Sequence, residues 1–451
     1  MSKTKPALQY SQGRSLPWSG AKVVNCFAEK ADGDREDDLA IMATPGLDRF
    51  AVLGSDPVRG STFMGDKIYA VAGTSLYSID QNGSVSLLGS VPGLGPVKMA
   101  NNGTEVAIAA DPNGYVYSGG TVHSSEDLPE VIDVAYIDSY FVWVIRNSDQ
   151  CIYSGIADGL SYDLLDVFTA EGSPDRLIGI VNDHRELQLY GGATIEVFYN
   201  AGGADNVFER QGNAFIERGC FDRDSIVKID NSVHFVGDDR TVYRLDGYTP
   251  IRISTHAIEY QLRNATYMRA FTYAQEGHKF YCISTGQGTF CYDMATGAWH
   301  ERKSWQTINW RVGGAVTAWN RTILSDAYTG ILYTPNLDSH TEDGDPIAME
   351  VELPQIGAGR SRVTMYGFEV YCETGVGLND GQGSDPKIML RYSDDGGRTW
   401  SNELWRSLGR IGQYRTRAIW RTLGQFRVRT MRLTITDPVR RLIMSYYADC
   451  R

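Results

Sequence analysis

Residues 393–400 form the stretch whose residue types and spacing come nearest to a defined chemical site. They follow a Ser-x-Asp-x-Gly-x-Thr-Trp pattern made by Ser393, Asp395, Gly397, Thr399 and Trp400. In this spacing Asp395 can accept hydrogen bonds from turn amides, Gly397 can adopt a positive φ, and Trp400 can pack beneath the hairpin. The pattern therefore predicts a structural turn, and its carboxylate raises the question of catalysis.

The same pattern is the Asp-box of sialidases and of other β-proteins. A sialidase-like glycosidase that degrades surface polysaccharide is therefore one function to weigh for this chain. That chemistry requires several such boxes, an arginine cluster for the sugar carboxylate, and a Tyr–Glu nucleophile pair. The sequence holds one box, outside the repeats described below. We therefore expect a structural hairpin, no catalytic residue and no enzyme activity.

Other candidate sites are weaker. The seven histidines are scattered, and no pair has the helical spacing of a zinc site. Turn sequences such as 111–114 and 237–239 are typical of hairpins and do not resemble phosphate-binding loops. We predict no metal and no cofactor.

A series of arginines near the end of the chain is the remaining candidate site. The guanidinium group of arginine can donate two parallel hydrogen bonds to a carboxylate or a phosphate. The series therefore indicates a face that docks acidic subunits or DNA. The alternative is a solvated outer face of two strands, and the sequence leaves both possibilities open. We expect Arg415, Arg417, Arg427 and Arg429 on the polar side of their strands. The full series is Arg415, Arg417, Arg421, Arg427, Arg429 and Arg432.

Charge is distributed unevenly along the chain. Residues 350–451 carry a net charge of +5, which leaves −17 on residues 1–349 from a total of −12. Nine arginines and one acidic residue, Asp437, lie between Arg410 and Arg441. An acidic body forfeits the counterion release that drives nucleic-acid binding. It suits a surface that DNA passes without sequence-specific binding.

A repeated phrase occupies most of the chain before these candidate residues, between about residues 60 and 340. It consists of an apolar strand, a turn, and a second strand that carries an aromatic residue. A period of roughly 40 to 45 residues made of short strands is the signature of a β-propeller blade. The repeat predicts seven blades, with the leading strand of each phrase nearest the axis. The seven aromatic residues are Tyr77, Tyr117, Tyr153, Phe198, Tyr243, Tyr292 and Tyr333.

The remaining sequence predicts an all-β chain with three parts. Residues 1–60 lack the repeat and are predicted to form an extended arm, residues 61–345 the propeller, and residues 346–451 a β-sandwich-like domain. Ile258 and Leu262, with Ser254 or Thr255 before them, predict one short helix. The apolar residues of the segment 426–435 change from even positions (Phe426, Val428) to odd positions (Met431, Leu433, Ile435). One face of a strand cannot change position in this way without an inserted residue, so we predict a bulge or break at Arg429-Thr430.

Composition limits the cellular context. No stretch approaches the length of a membrane span, and the start of the chain lacks the apolar region of a secretory signal. The seven cysteines form no Cys-x-x-Cys pair and are expected to be reduced and mostly buried. We therefore expect synthesis in a cytoplasm.

An ordered set of short segments resembles the packaged-DNA stabilisation proteins of short-tailed bacteriophages, also called tail accessory factors, hubs or nozzles. The similarity covers most of residues 20–300 and weakens in the last hundred. The segments are Val24-Asn25, residues 44–47, 58–60, 170–180 and 194–199, and Glu217-Arg218-Gly219-Cys220.

This resemblance implies a structural virion protein in the tail, made in the host cytoplasm. Six copies would form a ring below the portal and its adaptor, close the DNA channel and retain packaged DNA. The implied partners are other copies of the chain, the portal-side adaptor, spikes or fibres, and a needle or plug. The resemblance brings no catalytic residue.

Overall fold

A computed structural model describes residues 2–4, 9–15, 20–30, 39–173, 175–203, 206–357 and 361–451. The described chain is built almost entirely of antiparallel strands. It contains one α-helix, His256–Leu262, and one 3-10 turn, Arg223–Ser225. The helix is confirmed where the sequence predicts it, and the Thr255 hydroxyl caps it by accepting a hydrogen bond from the amide of Ile258.

Seven four-stranded antiparallel units follow one another in the described residues, and we number them 1 to 7. Unit 1 comprises Val58–Met64, Lys67–Ala72, Ser75–Ile79 and Val85–Ser90. Unit 2 comprises Lys98–Asn101, Val106–Ala110, Asn113–Ser118 and Thr121–His123. Unit 3 comprises Val131–Ile137, Tyr140–Ile145, Gln150–Gly155 and Asp158–Thr169. Unit 4 comprises Leu177–Asp183, Glu186–Gly191, Ile195–Asn200 and Phe208–Ile216.

The later units keep the same order of strands. Unit 5 comprises Val227–Ile229, Ser232–Val236, Val242–Asp246 and Thr249–Arg252. Unit 6 comprises Met268–Gln275, His278–Thr285, Gly288–Asp293 and Ala298–Arg302. Unit 7 comprises Val312–Ala318, Arg321–Asp326, Gly330–Asn336 and Gly46–Gly54.

The units are arranged as a ring. The first strand of unit 1 contacts that of unit 2, and the contacts continue through units 3 and 4 and again from unit 5 to unit 7, whose first strand returns to unit 1. Units 4 and 5 pack through Ile178, Val181, Val233 and Phe235. This is the β-propeller predicted from the repeat, and we interpret the seven units as its blades.

The repeated phrase occupies the second and third strands of each unit. Its aromatic residue lies in the third strand each time, for example Tyr77 in Ser75–Ile79 and Tyr333 in Gly330–Asn336. The strand nearest the axis is therefore the one before the phrase, and the expectation that the leading strand of the phrase lies innermost is wrong. The innermost strands have no aromatic residue that recurs in every unit, since Lys98–Asn101 and Leu177–Asp183 contain none, so the repeat did not reveal them.

Residues 346–451 form two packed sheets together with N-terminal strands. One sheet has the order Cys26–Lys30, Leu39–Ala43, Leu442–Cys450, Val363–Cys372 and Ala418–Phe426, and Ser2–Thr4 also pairs with Leu442–Cys450. The other runs from Val23–Val24 through Met349–Glu352, Val428–Ile435 and Lys387–Ser393 to Leu404–Ser407, and Ile356–Gly357 also pairs with Val428–Ile435. The predicted β-sandwich is confirmed.

The N-terminal segment connects the two domains. Val24 pairs with Glu301 of unit 6 on one side and with Glu350 of the sandwich on the other. Strand Gly46–Gly54 supplies the outer strand of unit 7, and the short strands Thr341–Glu342 and Asp345–Pro346 extend the same sheet. The described part of the predicted arm thus belongs to both sheet systems, because its apolar residues complete two cores. The ranges 1–60, 61–345 and 346–451 stay a division proposed from the sequence.

The predicted interruption of the arginine-rich strand occurs, but at a different residue. The strand Ala418–Phe426 ends, Arg427 turns the chain, and Val428–Ile435 begins in the opposite sheet of the sandwich. The ladder from Thr430 to Thr434 is continuous with Lys387–Ser393. A break is confirmed, whereas its placement at Arg429-Thr430 is wrong by two residues, because the chain crosses between sheets instead of bulging within one.

Candidate interaction site

The Asp-box closes the hairpin between Lys387–Ser393 and Leu404–Ser407. Asp395 accepts hydrogen bonds from the amides of Arg398 and Thr399 at 2.9 Å and from the Thr399 hydroxyl at 2.6 Å. These hydrogen bonds, that of the Thr399 hydroxyl first, hold the pKa of the Asp395 carboxyl well below its usual range. The carboxylate is therefore fully engaged in shaping the turn.

The other members of the motif complete the same turn. The Ser393 hydroxyl donates to Asp395 at 2.7 Å and accepts from the Gly397 amide at 2.8 Å. Gly397 has a φ of 90°, and its carbonyl accepts from Nε1 of Trp400 at 3.1 Å. All five motif residues thus meet in one hydrogen-bonded loop, and we interpret their role as structural.

Arg429 is buried beside this loop. Its side chain is 2% exposed, and Nε and Nη2 donate to the two carboxylate oxygens of Asp394 at 2.6 and 2.7 Å. Its guanidinium also lies between the rings of Tyr392 and Phe426, at 4.1 and 4.4 Å from their centroids. The expectation that Arg429 lies on the polar side of its strand is wrong, because it shares parity with the buried Met431 and Leu433.

Arg432 and Arg417 are paired within the sandwich as well. Arg432 donates to Glu352 and packs over the ring of Trp400 at 3.9 Å, so it ties the Asp-box to the strand Met349–Glu352. Arg417 makes a bidentate pair with Glu369, with both donor–acceptor distances 2.7 Å. These two arginines are held by internal carboxylates.

Arg415 and Arg421 differ from the other members of the series. Both are exposed, and neither makes an ion pair with a residue in the described parts of the chain. Arg427 is exposed too but is engaged in an interaction. Three of the six candidate arginines are thus held by carboxylates of the sandwich, Arg427 is exposed but engaged, and Arg415 and Arg421 face solvent.

The carboxylate partners were missed by sequence reasoning. Asp394, Glu352 and Glu369 are distant from their arginines in sequence, and the strand pairing alone brings them together. One signal was available for Arg429, because its position has the same parity as Met431, Leu433 and Ile435. An arginine in phase with apolar residues indicates burial, and burial of the charge requires a partner.

The axis of the propeller is narrow and is crossed by side chains. A cavity of about 250 Å³ lies among the first strands of units 1, 2, 5, 6 and 7. Arg269 donates across it to the Val58 carbonyl at 2.8 Å, and Lys98 lies 3.5 Å from Asp224. Asp224 also lies 3.4 Å from Arg223, and its pKa is lowered because these cations outweigh the effect of burial. The interior of a single propeller therefore offers no duct for a duplex.

Two further observations concern the described residues. No three His, Cys, Asp or Glu side chains are grouped there as they would be around a metal ion. No helix in these parts of the chain is long and apolar enough to cross a bilayer.

The fold and these clusters define a β-propeller closed by an N-terminal strand and joined to a β-sandwich, in which the conspicuous polar motif shapes a turn. Comparison with models of known families identifies the family to which this class of protein belongs. Residues 15–329 match the family described as "Bacteriophage P22 Gp10, beta-propeller" and residues 350–451 match "Bacteriophage P22 Gp10, beta-sandwich". The chain belongs to the bacteriophage P22 Gp10 family and is a phage structural tail protein. The resemblance found in the sequence is confirmed.

Comparisons with curated proteins and solved structures add less. No curated protein matches significantly. The computationally designed Ika8 protein is 14% identical, with a TM-score of 0.41 over 70% of this chain and 100% of its own. The extracellular domain of the putative one component system BT4673 from B. thetaiotaomicron is 12% identical, with a TM-score of 0.45 over 82% of this chain and 48% of its own. The Cps50 (Swd1) β-propeller domain of Myceliophteria thermophila is 9% identical, with a TM-score of 0.45 over 64% of this chain and 99% of its own.

Proposed function

We propose that this protein forms a homohexameric ring in the tail, below the portal and its adaptor, where it closes the DNA channel and retains packaged DNA. Spikes or fibres and a needle or plug attach to the same ring. The protein acts without catalysis and is carried in the virion after synthesis in the host cytoplasm.

The narrow axis of the propeller is the observation that carries this proposal. A cavity of about 250 Å³ crossed by Arg269 is smaller than many pockets for a single small ligand, which span roughly 300–1,000 Å³. DNA that passes this protein must therefore pass between copies. A closed ring of several copies supplies such a channel, and family membership supports a place for it in a phage tail.

Charge supports the same proposal. Residues 1–349 carry −17, so the body gains little from counterion release when it meets DNA. A channel wall of this kind lets DNA move past without sequence-specific contacts.

DNA retention by assembled particles tests this function. Particles made without the protein should package DNA and then lose it, and addition of the purified full chain should stop the loss. An unrelated protein of similar net charge is the control. Particles that keep their DNA without this protein would contradict the retaining role.

The glycosidase alternative has its own test. Asp395 is occupied by turn amides and by Thr399, which supports a structural role for the Asp-box. Incubation of the full chain with sialylated and capsular glycans should release no sugar. Release of reducing ends by the purified protein would favour the enzyme.

A further inference from the structure

We propose that copies of this chain contact one another head to tail, through an acidic bulge on unit 3 of one copy and the arginine-bearing end of the sandwich of the next. The bulge is Asp163–Asp166. The distal end comprises residues 408–417 together with Arg421. This inference rests on the proposed ring and specifies the two surfaces that build it.

The bulge protrudes from the outer edge of unit 3. Ile152 pairs with Val167 and Ser154 pairs with Tyr162, so the four residues of the bulge lie opposite Tyr153 alone. Leu164 and Leu165 project from it and are 65% and 86% exposed. The Asp163 carboxylate accepts from the Leu165 amide at 2.9 Å, which fixes the shape of the bulge. Two adjacent exposed leucines on a fixed bulge form an apolar anchor of the kind that interfaces bury.

The surroundings of this anchor are acidic. Residues 147–175 contain six Asp or Glu residues and no Lys or Arg. Asp158 and Asp163 are exposed, and Asp158 precedes the bulge on the same outer strand. The surface thus combines leucine side chains with concentrated negative charge, and it fits a partner that is basic and partly apolar.

The distal end has the complementary composition. It connects Leu404–Ser407 to Ala418–Phe426, the strands at the ends of the two sandwich sheets farthest from unit 6. Ile411 and Tyr414 are exposed there. Arg415 and Arg421 are also exposed and have no ion-pair partner in the described parts of the chain.

The two surfaces lie on opposite sides of the molecule. The sandwich joins the ring at unit 6, where Val24 pairs with Glu301, and at unit 7, whose outer strand continues from the sandwich. In a ring of seven units, unit 3 lies opposite the junction of units 6 and 7. The bulge therefore cannot reach the distal end of its own chain. It can reach that of a neighbour, and a contact between two different surfaces of identical copies closes into a ring when repeated.

Complementary variants test this arrangement. In the bulge variant, Leu164→Arg and Leu165→Arg place positive charge opposite the arginines of the neighbour. In the end variant, Arg415→Glu and Arg421→Glu place negative charge opposite the bulge. All four side chains are exposed, so circular dichroism should show a native fold, and Leu164→Ser with Leu165→Ser replaces the first pair if it does not.

Mass photometry of the full chains provides the measurement. Wild type should form rings, whereas each variant alone should remain near its single-chain mass of 50.0 kDa. An equimolar mixture should regain association, because the unaltered bulge of one variant meets the unaltered end of the other and the introduced Arg and Glu side chains are opposite in charge at the remaining contact. Leu87→Arg and Arg263→Glu, which alter exposed residues elsewhere, should form rings as wild type does.

The outcomes separate this inference from the proposed function. Rings formed by both variants alone would overturn the head-to-tail surfaces and leave the proposed ring intact. Wild type that stays monomeric at every concentration would overturn the ring itself. A bulge variant that forms rings but no longer joins other tail proteins would assign the bulge to another partner and would also overturn the inference.

Discussion

Arg429 and Asp394 form a two-pronged ion pair at the base of the Asp-box, with donor–acceptor distances of 2.6 and 2.7 Å. A third nitrogen of the guanidinium, Nη1, donates to the Leu423 carbonyl at 2.6 Å. Arg429 thereby joins the strand Val428–Ile435, the Asp-box and the end of the strand Ala418–Phe426. The residue that the sequence offers as part of a docking face is a structural connector.

Replacement of this arginine should destabilise the sandwich. Arg429→Gln leaves Asp394 without its partner and removes the contacts with Tyr392 and Phe426. Because Asp394 keeps some access to water, we expect a loss of about 3 kcal/mol, the lower end for breaking a buried pair. Urea unfolding followed by tryptophan fluorescence measures it. Arg415→Gln is the control and should change stability by less than about 0.5 kcal/mol. Equal stability of the two variants would contradict the structural assignment of Arg429.

The Asp-box should depend on its carboxylate in a local measurement. Asp395→Ala removes the acceptor for the amides of Arg398 and Thr399. Hydrogen–deuterium exchange of residues 393–401 should therefore accelerate, while exchange in unit 3 stays unchanged. Asp380→Ala, in an exposed loop, should leave the exchange of residues 393–401 as in wild type. Unaltered exchange in Asp395→Ala would show that the turn does not need this residue.

The propeller was predictable because it repeats. Seven copies of one phrase, each with an aromatic residue in what proves to be the third strand, outweigh the ambiguity of any single copy. The innermost strands, such as Val58–Met64 and Lys98–Asn101, carry no comparable marker. Their contacts with one another around the axis identify them, and those contacts join residues far apart in sequence.

The candidate site was less predictable because it depends on distant pairing. Alternation along one strand cannot show that Arg432 meets Glu352, eighty positions away in sequence. The same limit applies to the N-terminal segment. Val23 and Cys26 are recognisably apolar, but nothing in their own sequence identifies the C-terminal sandwich as their partner.

A buried histidine should make the junction of propeller and sandwich sensitive to pH. His278 of unit 6 bonds to Asp293 at 2.9 Å and to Glu29 of the N-terminal strand at 3.0 Å. Burial opposes protonation, but the hydrogen bonds and charges of the two carboxylates outweigh it and raise the pKa above 6.5.

The sign of this effect follows from the raised pKa. Protonated His278 stabilises the folded state fully below the pKa of the unfolded chain, near 6.5. This stabilisation is lost as pH rises through the higher pKa of His278 in the folded state. Unfolding free energies of wild type and His278→Gln, compared from about pH 6 to about pH 8.5, should therefore converge as pH rises. His123→Gln, at an exposed position, is the control. A difference that grows with pH would contradict the assignment.

The sandwich should fail to fold without the N-terminal strands. Val23, Cys26, Ala28, Ile41 and Ala43 lie in its core with no more than 8% of their surface exposed. Full burial of a single Val or Ile contributes about 1.5–3 kcal/mol, so loss of the whole set removes stabilisation comparable to the entire margin of a small domain. Residues 346–451 expressed alone should therefore show no cooperative unfolding by circular dichroism. A synthetic peptide of residues 20–44 should restore it, whereas the same peptide with Val23→Asp and Ile41→Asp should not. A stable fold of the isolated segment would show that the N-terminal strands only cover a core that the C-terminal sequence builds by itself.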